Sequence, residues 1–212
     1  MENSIHIGFL IYPDVTQLDA TGPAQVLSRV PGAVIHMVWK TLDPVKTDAG
    51  FSILPTDTFT SCPDLDVVCI PGGMGQMPLM SDSEVLEFLK RQGGQADYLT
   101  SVCSGSLLWG AAGFLDGYRS ACHWAFREML PSFGAIPVKE RVVQDRNRVS
   151  GGGVTAGIDF GLTLAAVLAG EEVAKEIQLT LEYDPQPPFD AGTPEKAGLE
   201  LEAKVRANFA HN

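Results

Sequence analysis

The chain has 212 residues, of which 45% are hydrophobic and 19% charged, and its formal net charge is −11. That length supports one substantial α/β core, and the composition is too apolar for a disordered chain. The acidic surplus and the lack of any Lys/Arg cluster argue against nucleic acid as a partner, and no apolar run is long enough to span a bilayer.

Ile5–Ile11 reads as a first strand with no basic lead or cleavage site before it, so a cytoplasmic location is expected. Leu18-Asp19-Ala20-Thr21-Gly22-Pro23 follows. Proline favours the first helical position, which predicts a helix over Pro23–Ser28, Gly22 as its cap, and Asp19 outside it. Val34–Lys40 is a second strand, and Val45–Pro55 a small hairpin turned by Asp48-Ala49-Gly50. Val67–Ile70 is continuously apolar, as in a strand covered on both faces, and ends abruptly at Pro71-Gly72-Gly73. Ser83–Gln92 is amphipathic, with Ser81 or Ser83 as its cap and Gly93-Gly94 as its end.

Tyr98–Val102 is a short β-prone run that hands over, through Cys103-Ser104-Gly105-Ser106, to an apolar helix over Leu107–Ala112. Arg119–Ala121 is a short strand, and His123–Leu130 a helix stopped by Pro131. Arg141–Gln144 pairs with Arg148–Ser150 across Asp145-Arg146-Asn147, and helices follow over Gly157–Leu168 and Glu171–Tyr183. A Pro-rich segment and a terminal helix over Pro194–Phe209 occupy 184–212 of what reads as a single domain, 1–212. Strands alternating with helices imply a mostly parallel central sheet with helices on both faces and a ligand beyond the carboxyl ends of the strands.

Three breaks fall at that edge. Cys103 sits where a nucleophile is exposed at the crest of the sheet, and the helix behind it aims free N–H groups and a positive dipole end at the sulfur, which lowers a thiol pKa. The competing reading is an ordinary buried cysteine. Asp19, beside a thiolate and partly desolvated, is a candidate general acid and base with a raised pKa; its competitor is a helix cap. Gly72 and Gly73 offer backbone N–H groups to developing negative charge, or simply form a tight turn. His123 and Thr155 are assigned to the pocket; no third residue is evident to orient His123 as a proton acceptor. Gly151–Gly157 lacks the Gly-Lys-Ser/Thr ending of a phosphate loop, and close packing against the nucleophile's helix is expected instead. Cys62, Cys69, Cys103 and Cys122 are irregularly spaced, so neither a metal site nor a disulfide framework is expected.

Asp19–Pro23, Ile70–Gly73, Ser101–Ser106 and Gly151–Asp159 together resemble the ThiJ/PfpI superfamily along the whole chain. Within it the likeness is closest to the isonitrile (isocyanide) hydratases, on Glu182–Gly192 near the C-terminus. The resemblance implies a flavodoxin-like sandwich related to class I glutamine amidotransferases, no cofactor, a homodimer, and hydration of a small-molecule isonitrile to an N-substituted formamide. It makes Cys103 the nucleophile, Asp19 its acid/base partner, and the backbone of Gly72, Gly73 and Ser104 the anion-stabilising side. Two positions depart from the pattern. Ser104 stands where protease-like relatives place His, which weakens a peptidase assignment, and Cys122 stands where a Thr often precedes the pocket His. Two alternatives stay open: a non-catalytic small-molecule sensor related to AraC-type regulators, and a glyoxalase-like enzyme acting on 2-oxoaldehydes.

Overall fold

The structure, a computed structural model, describes residues 4–209. In chain order the strands are β1 Ile5–Leu10, β2 Ala33–Trp39, β3 Val45–Lys46, β4 Ser52–Ile53, β5 Asp57–Thr58, β6 Val67–Ile70, β7 Tyr98–Val102, β8 Arg119–Ser120, β9 Ile136–Pro137, β10 Val142–Asp145 and β11 Arg148–Gly151. The helices are α1 Gln17–Leu27, α2 Gln76–Leu79, α3 Ser83–Gly93, α4 Ser106–Ala111, α5 Ala156–Ala169, α6 Glu171–Thr180, α7 Pro194–Ala197 and α8 Leu199–Phe209, with 3-10 turns at Cys103–Gly105 and Arg127–Phe133.

Seven strands form the central sheet in the order β10-β11-β7-β6-β1-β2-β5. All neighbours are parallel except β10 and β11, which form the expected hairpin. This is the α/β flavodoxin-like arrangement. The chain adds β2 on one side of β1 and β6 on the other, so the strand order reverses at β1, where such sheets hold their ligands.

Side-chain alternation assigns the two faces. From β1 and β6, Ile7, Phe9, Val67 and Cys69 enter one core with Val26 and Leu27 of α1 and Phe160 and Leu164 of α5. Leu10, Val68 and Ile70 enter the other, with Val85 and Phe88 of α3 and Leu107 and Trp109 of α4. Fully burying each large side chain contributes about 2–3 kcal/mol. The Trp109 indole N–H also finds an acceptor, the Thr100 carbonyl at 2.8 Å, which ties α4 to β7.

Four local expectations are corrected. Helix α1 begins at Gln17, so Pro23 lies inside it and Asp19 in its first turn. Pro23 leaves the Asp19 carbonyl without its helical donor, a cost of about 3 kcal/mol in a helix interior. Burial of Ala20, Val26 and Leu27 and close packing on α5 offset it. The Gly-rich run therefore packs on α1 rather than on α4: a Cβ at Gly157 would lie 3.2 Å from Pro23 Cδ, and one at Gly161 3.0 Å from Val26 Cβ. The cap of α3 is Asp82, whose Oδ1 accepts from the N–H groups of Glu84 and Val85, both at 3.1 Å. The segment after His123 is a turn and then the 3-10 helix Arg127–Phe133, which passes through Pro131 and ends at Gly134 with φ 72°.

The described chain divides between Leu181 and Glu182 into two compact units. The second contains the Pro-rich segment and two helices where one was expected. Gly198, at φ 81°, separates α7 from α8, and Thr193 caps α7. No described helix is long and apolar enough to cross a membrane.

Candidate active site

Strand β7 ends at Val102 in extended backbone, and Cys103 then turns to φ 61°. A left-handed conformation at a residue with a Cβ costs on the order of 1–3 kcal/mol and persists only where its surroundings enforce it. Two neighbours do so. The His123 N–H donates to the Cys103 carbonyl at 3.1 Å. Gly72 closes the other side, because a Cβ there would lie 2.7 Å from Ser104 N and 2.8 Å from Cys103 Cβ. The turn leads into α4, so the strand-to-helix placement holds. The cysteine is not exposed at a crest, however; it retains only 5% of its accessible surface.

Asp19 is fully buried at 0% exposure. Its Oδ2 accepts from the Gly72 N–H at 2.9 Å. Its Oδ1 is buried with no hydrogen-bond partner. Burial pushes the carboxyl up to about 7; the Gly72 N–H and the Cys103 thiol pull it down, and Asp48 raises it. Burial also raises the Cys103 thiol well above its ordinary value, reinforced by the charges of Asp19 and Cys122, while the Ser104 N–H acts the other way. The expected lowering by the helix end is overturned: the turn supplies that donor, but desolvation and the adjacent carboxylate outweigh it. At neutral pH the cysteine is therefore a protonated thiol facing a carboxyl that is about half ionised.

The backbone donors at this edge serve the protein's own groups. The Gly72 N–H goes to Asp19, and the Gly73 N–H goes to Ser104 Oγ at 3.3 Å. Thr16 in turn donates its N–H to the Gly72 carbonyl at 2.9 Å, which ties the entry of α1 to the β6 loop. Tyr12, which sequence reasoning did not single out, is fully buried and donates its hydroxyl to the Pro71 carbonyl at 2.8 Å. It thereby fixes the turn that carries Gly72.

His123 accepts the Ala125 N–H on Nδ1 at 3.3 Å, which leaves the ring proton on Nε2. Burial, with Arg127 nearby, holds its pKa down at about 4, so the ring is neutral at physiological pH. Thr155 is exposed at the N-cap of α5, where its hydroxyl accepts from Arg141 Nη2 at 3.3 Å. Its side chain meets that arginine rather than the Cys103–Asp19 pair; its neighbour Val154 packs on the cluster that includes Cys103. Cys122 is buried, and its thiol is pushed up to about 11 by burial, against contributions from Ser106 and Arg127. Arg127 was also missed from sequence. Its Nε is buried without an acceptor. Among the described residues no group of three His, Cys, Asp or Glu side chains is arranged to hold a metal ion.

The family model described as DJ-1/PfpI matches residues 6–167. The chain is 53% identical over 206 residues to a protein of Pseudomonas putida named isonitrile hydratase, covering 96% of this chain and 90% of that one. It is 30% identical over 191 residues to the HTH-type transcriptional regulator GbdR of Pseudomonas aeruginosa, covering 86% of this chain and 52% of the regulator. Among solved structures, a ThiJ/PfpI family protein from Pseudomonas syringae superposes with a TM-score of 0.95 at 47% identity, covering 99% of this chain and 87% of that one.

Proposed function

The chain belongs to the DJ-1/PfpI family, and we propose that it hydrates isonitriles to N-substituted formamides, with Cys103 as nucleophile and Asp19 as the proton carrier. The high identity to a named isonitrile hydratase over nearly the full length supports the reaction. The roles rest on one observation, a buried carboxyl with an unpartnered oxygen, poised near pH 7 and interacting with a cysteine.

The chemistry follows from that pair. The Cys103 sulfur attacks the isonitrile carbon as its proton passes to Asp19, and Asp19 delivers that proton to the same carbon. A C–S and a C–H bond form, giving a thioimidate. Water then adds to that carbon, with its proton relayed through Asp19 to nitrogen. Collapse breaks the C–S bond, the hydroxyl proton returns to sulfur, and the formamide leaves. One water is consumed and the enzyme is regenerated. Splitting hydration into two covalent steps lowers each barrier. Neutral His123 takes no part in the proton transfers; its backbone holds the nucleophile's turn.

Formamide analysis after incubation with a simple aryl isonitrile tests the proposal. Wild type is expected to turn over, and Cys103→Ala and Cys103→Ser to give no product above background; full activity in either variant refutes the scheme. The regulator's similarity favours a second reading, a ligand sensor without catalysis. Saturable binding with the isonitrile recovered unchanged would support it. We also propose a cytoplasmic homodimer. Exposed Leu42, Phe51 and Leu54 supply apolar surface for pairing, and light scattering on the purified protein tests it.

A further inference from the structure

Thr16-Gln17-Leu18-Asp19 has the pattern of a capping box. In such a box the cap side chain accepts from the backbone N–H three residues on, and the acidic side chain there reaches back to the cap residue's own N–H. Thr16 is the N-cap of α1, and Asp19 stands three residues on, yet Thr16 makes no side-chain cap bond. Both halves of the box are occupied from outside. The Thr16 N–H donates to the Gly72 carbonyl at 2.9 Å, and the Thr16 hydroxyl donates to Asp48 Oδ2 at 2.7 Å. The Asp19 N–H turns to the Thr16 carbonyl at 3.0 Å instead. The Asp19 carboxyl is thereby released from capping, and its Oδ2 accepts from the Gly72 N–H at 2.9 Å.

Asp48 lies at the tip of the β3–β4 hairpin, which is fastened to the entry of α1. Val15 and Thr47 pair in parallel, the Asp48 N–H donates to the Val15 carbonyl at 3.1 Å, and the Asp14 N–H donates to the Lys46 carbonyl at 2.9 Å. Thr47 closes the tip: it is 1% exposed, and its N–H and hydroxyl both donate to the Phe51 carbonyl at 2.8 Å. Gly73 leaves no slack on the other side, because a Cβ there would lie 2.6 Å from Thr16 N. One continuous run of hydrogen bonds therefore leads from Asp48 through Thr16 and Gly72 to Asp19, and Gly72 is also the residue that abuts Cys103.

We propose that Asp48 is a positioning residue for the reaction: it engages the Thr16 hydroxyl, keeps the helix cap from claiming Asp19, and so holds that carboxyl on Gly72 beside Cys103. This rests on the reading of Asp19 as the proton carrier and adds the residue that aims it. Without the Asp48 acceptor, the Thr16 hydroxyl is free to cap the first turn of α1, the cap residue rotates, and its grip on Gly72 loosens.

The test removes each end of the Asp48–Thr16 bond and compares it with a substitution that keeps that end. Asp48→Ala deletes the acceptor and Asp48→Asn keeps an oxygen; Thr16→Val deletes the hydroxyl and Thr16→Ser keeps it. Turnover of a simple aryl isonitrile is measured well above pH 7, where Asp19 is ionised in every variant. Asp48→Ala and Thr16→Val should each lower kcat by about 10-fold with KM within about twofold of wild type, as expected for a misplaced reacting group. Asp48→Asn and Thr16→Ser should stay within about twofold in both. Amide hydrogen exchange, read by NMR, reports the position directly. The Gly72 N–H should exchange at least about 10-fold faster in Asp48→Ala and Thr16→Val, with the β6 and β7 amides at wild-type rates. Wild-type kcat in those two variants overturns the inference and leaves isonitrile hydration standing. Acceleration shared by the β6 and β7 amides marks a loss of fold rather than of aim, and overturns it as well. No formamide from wild type overturns the hydratase reading instead. Exchange at Gly72 then decides the inference: local acceleration in the two deleting variants supports it, and wild-type rates sink it.

Discussion

Asp57 lies in the edge strand β5 of the seven-stranded sheet and Asp19 in the first turn of α1, beyond the carboxyl end of β1, and the fold drives the two carboxylates in opposite directions. Burial alone would raise both. At Asp57 the Thr56 hydroxyl and the His36 ring outweigh it, and the pKa falls. His36 Nδ1 meets Asp57 Oδ2 at 2.8 Å, His6 Nδ1 meets His36 Nε2 at 2.9 Å, and the His6 N–H donates to Asp66 Oδ2 at 2.6 Å, a polar chain in which each member bonds to the next. At Asp19 the Gly72 N–H and the Cys103 thiol are too little to offset it, Oδ1 stays unsatisfied, and burial wins. A completed polar network is structural; an incomplete one, kept at a cost in stability, is what the proposed proton carrier needs.

Substitution of the two aspartates by asparagine sharpens the contrast. Asp19→Asn is expected to cut kcat/KM by about 10²–10⁴-fold, the range for loss of a general acid/base. In wild type kcat/KM should rise with pH through about 7, as Asp19 becomes able to accept the thiol proton, and that limb should vanish in the variant. Stability should move the other way. Asp19 titrates near 3.8 when unfolded and about 7 when folded, so between those values the folded state keeps a proton that the unfolded chain releases. Wild type therefore loses on the order of 4 kcal/mol as pH rises through that window. Asp19→Asn escapes the loss, and its melting temperature at pH 8 should exceed that of wild type by at least about 5 °C. Equal melting curves at pH 8 would break the comparison.

Gly72→Ala comes next in size. The added methyl meets backbone at Ser104 and the Cys103 Cβ, and the clash cannot be relieved by rotating a flexible side chain. Overpacking of this kind costs about 1–3 kcal/mol. Turnover should fall by at least about 10-fold through displacement of the nucleophile. The smallest effect is expected at Asp57→Asn. Loss of the charge-assisted bond to His36 should lower stability by about 1–2 kcal/mol at neutral pH, with kcat/KM within about twofold of wild type. Because the folded pKa of Asp57 lies below the unfolded one, the difference should shrink as pH falls through the acid range. Denaturant melts at pH 7 and pH 3.5 measure it.

Much of this was legible in the residues. The continuous apolar run Val67–Ile70 marks β6, the strand-like runs Ile5–Ile11 and Tyr98–Val102 mark β1 and β7, and the Asp145–Asn147 break marks the β10–β11 turn. The meeting of Asp19, Gly72 and Cys103 follows from parallel topology, which sends three strand ends to one edge. The start of α1 was hidden because proline signals a first turn, whereas here tertiary packing on Gly157 and Gly161 overrides it. The thiol's electrostatics were hidden as well: a helix end can be read from sequence, but the depth of burial that outweighs it cannot. The surroundings of Thr155 and Arg127 were hidden for the same reason. Thr155 sits in a Gly-rich run yet reaches the surface, and Arg127, followed by Glu128, gives no sequence sign of lacking an acceptor.

Gly72 meets Cys103 and Asp19 at once, yielding room to the cysteine through its missing methyl and gripping the aspartate through its amide. The interval between sulfur and acid is thus gauged by a single residue at the tip of a buried strand. A larger residue there would reset that spacing from both ends at once, so one position sets how the two groups meet.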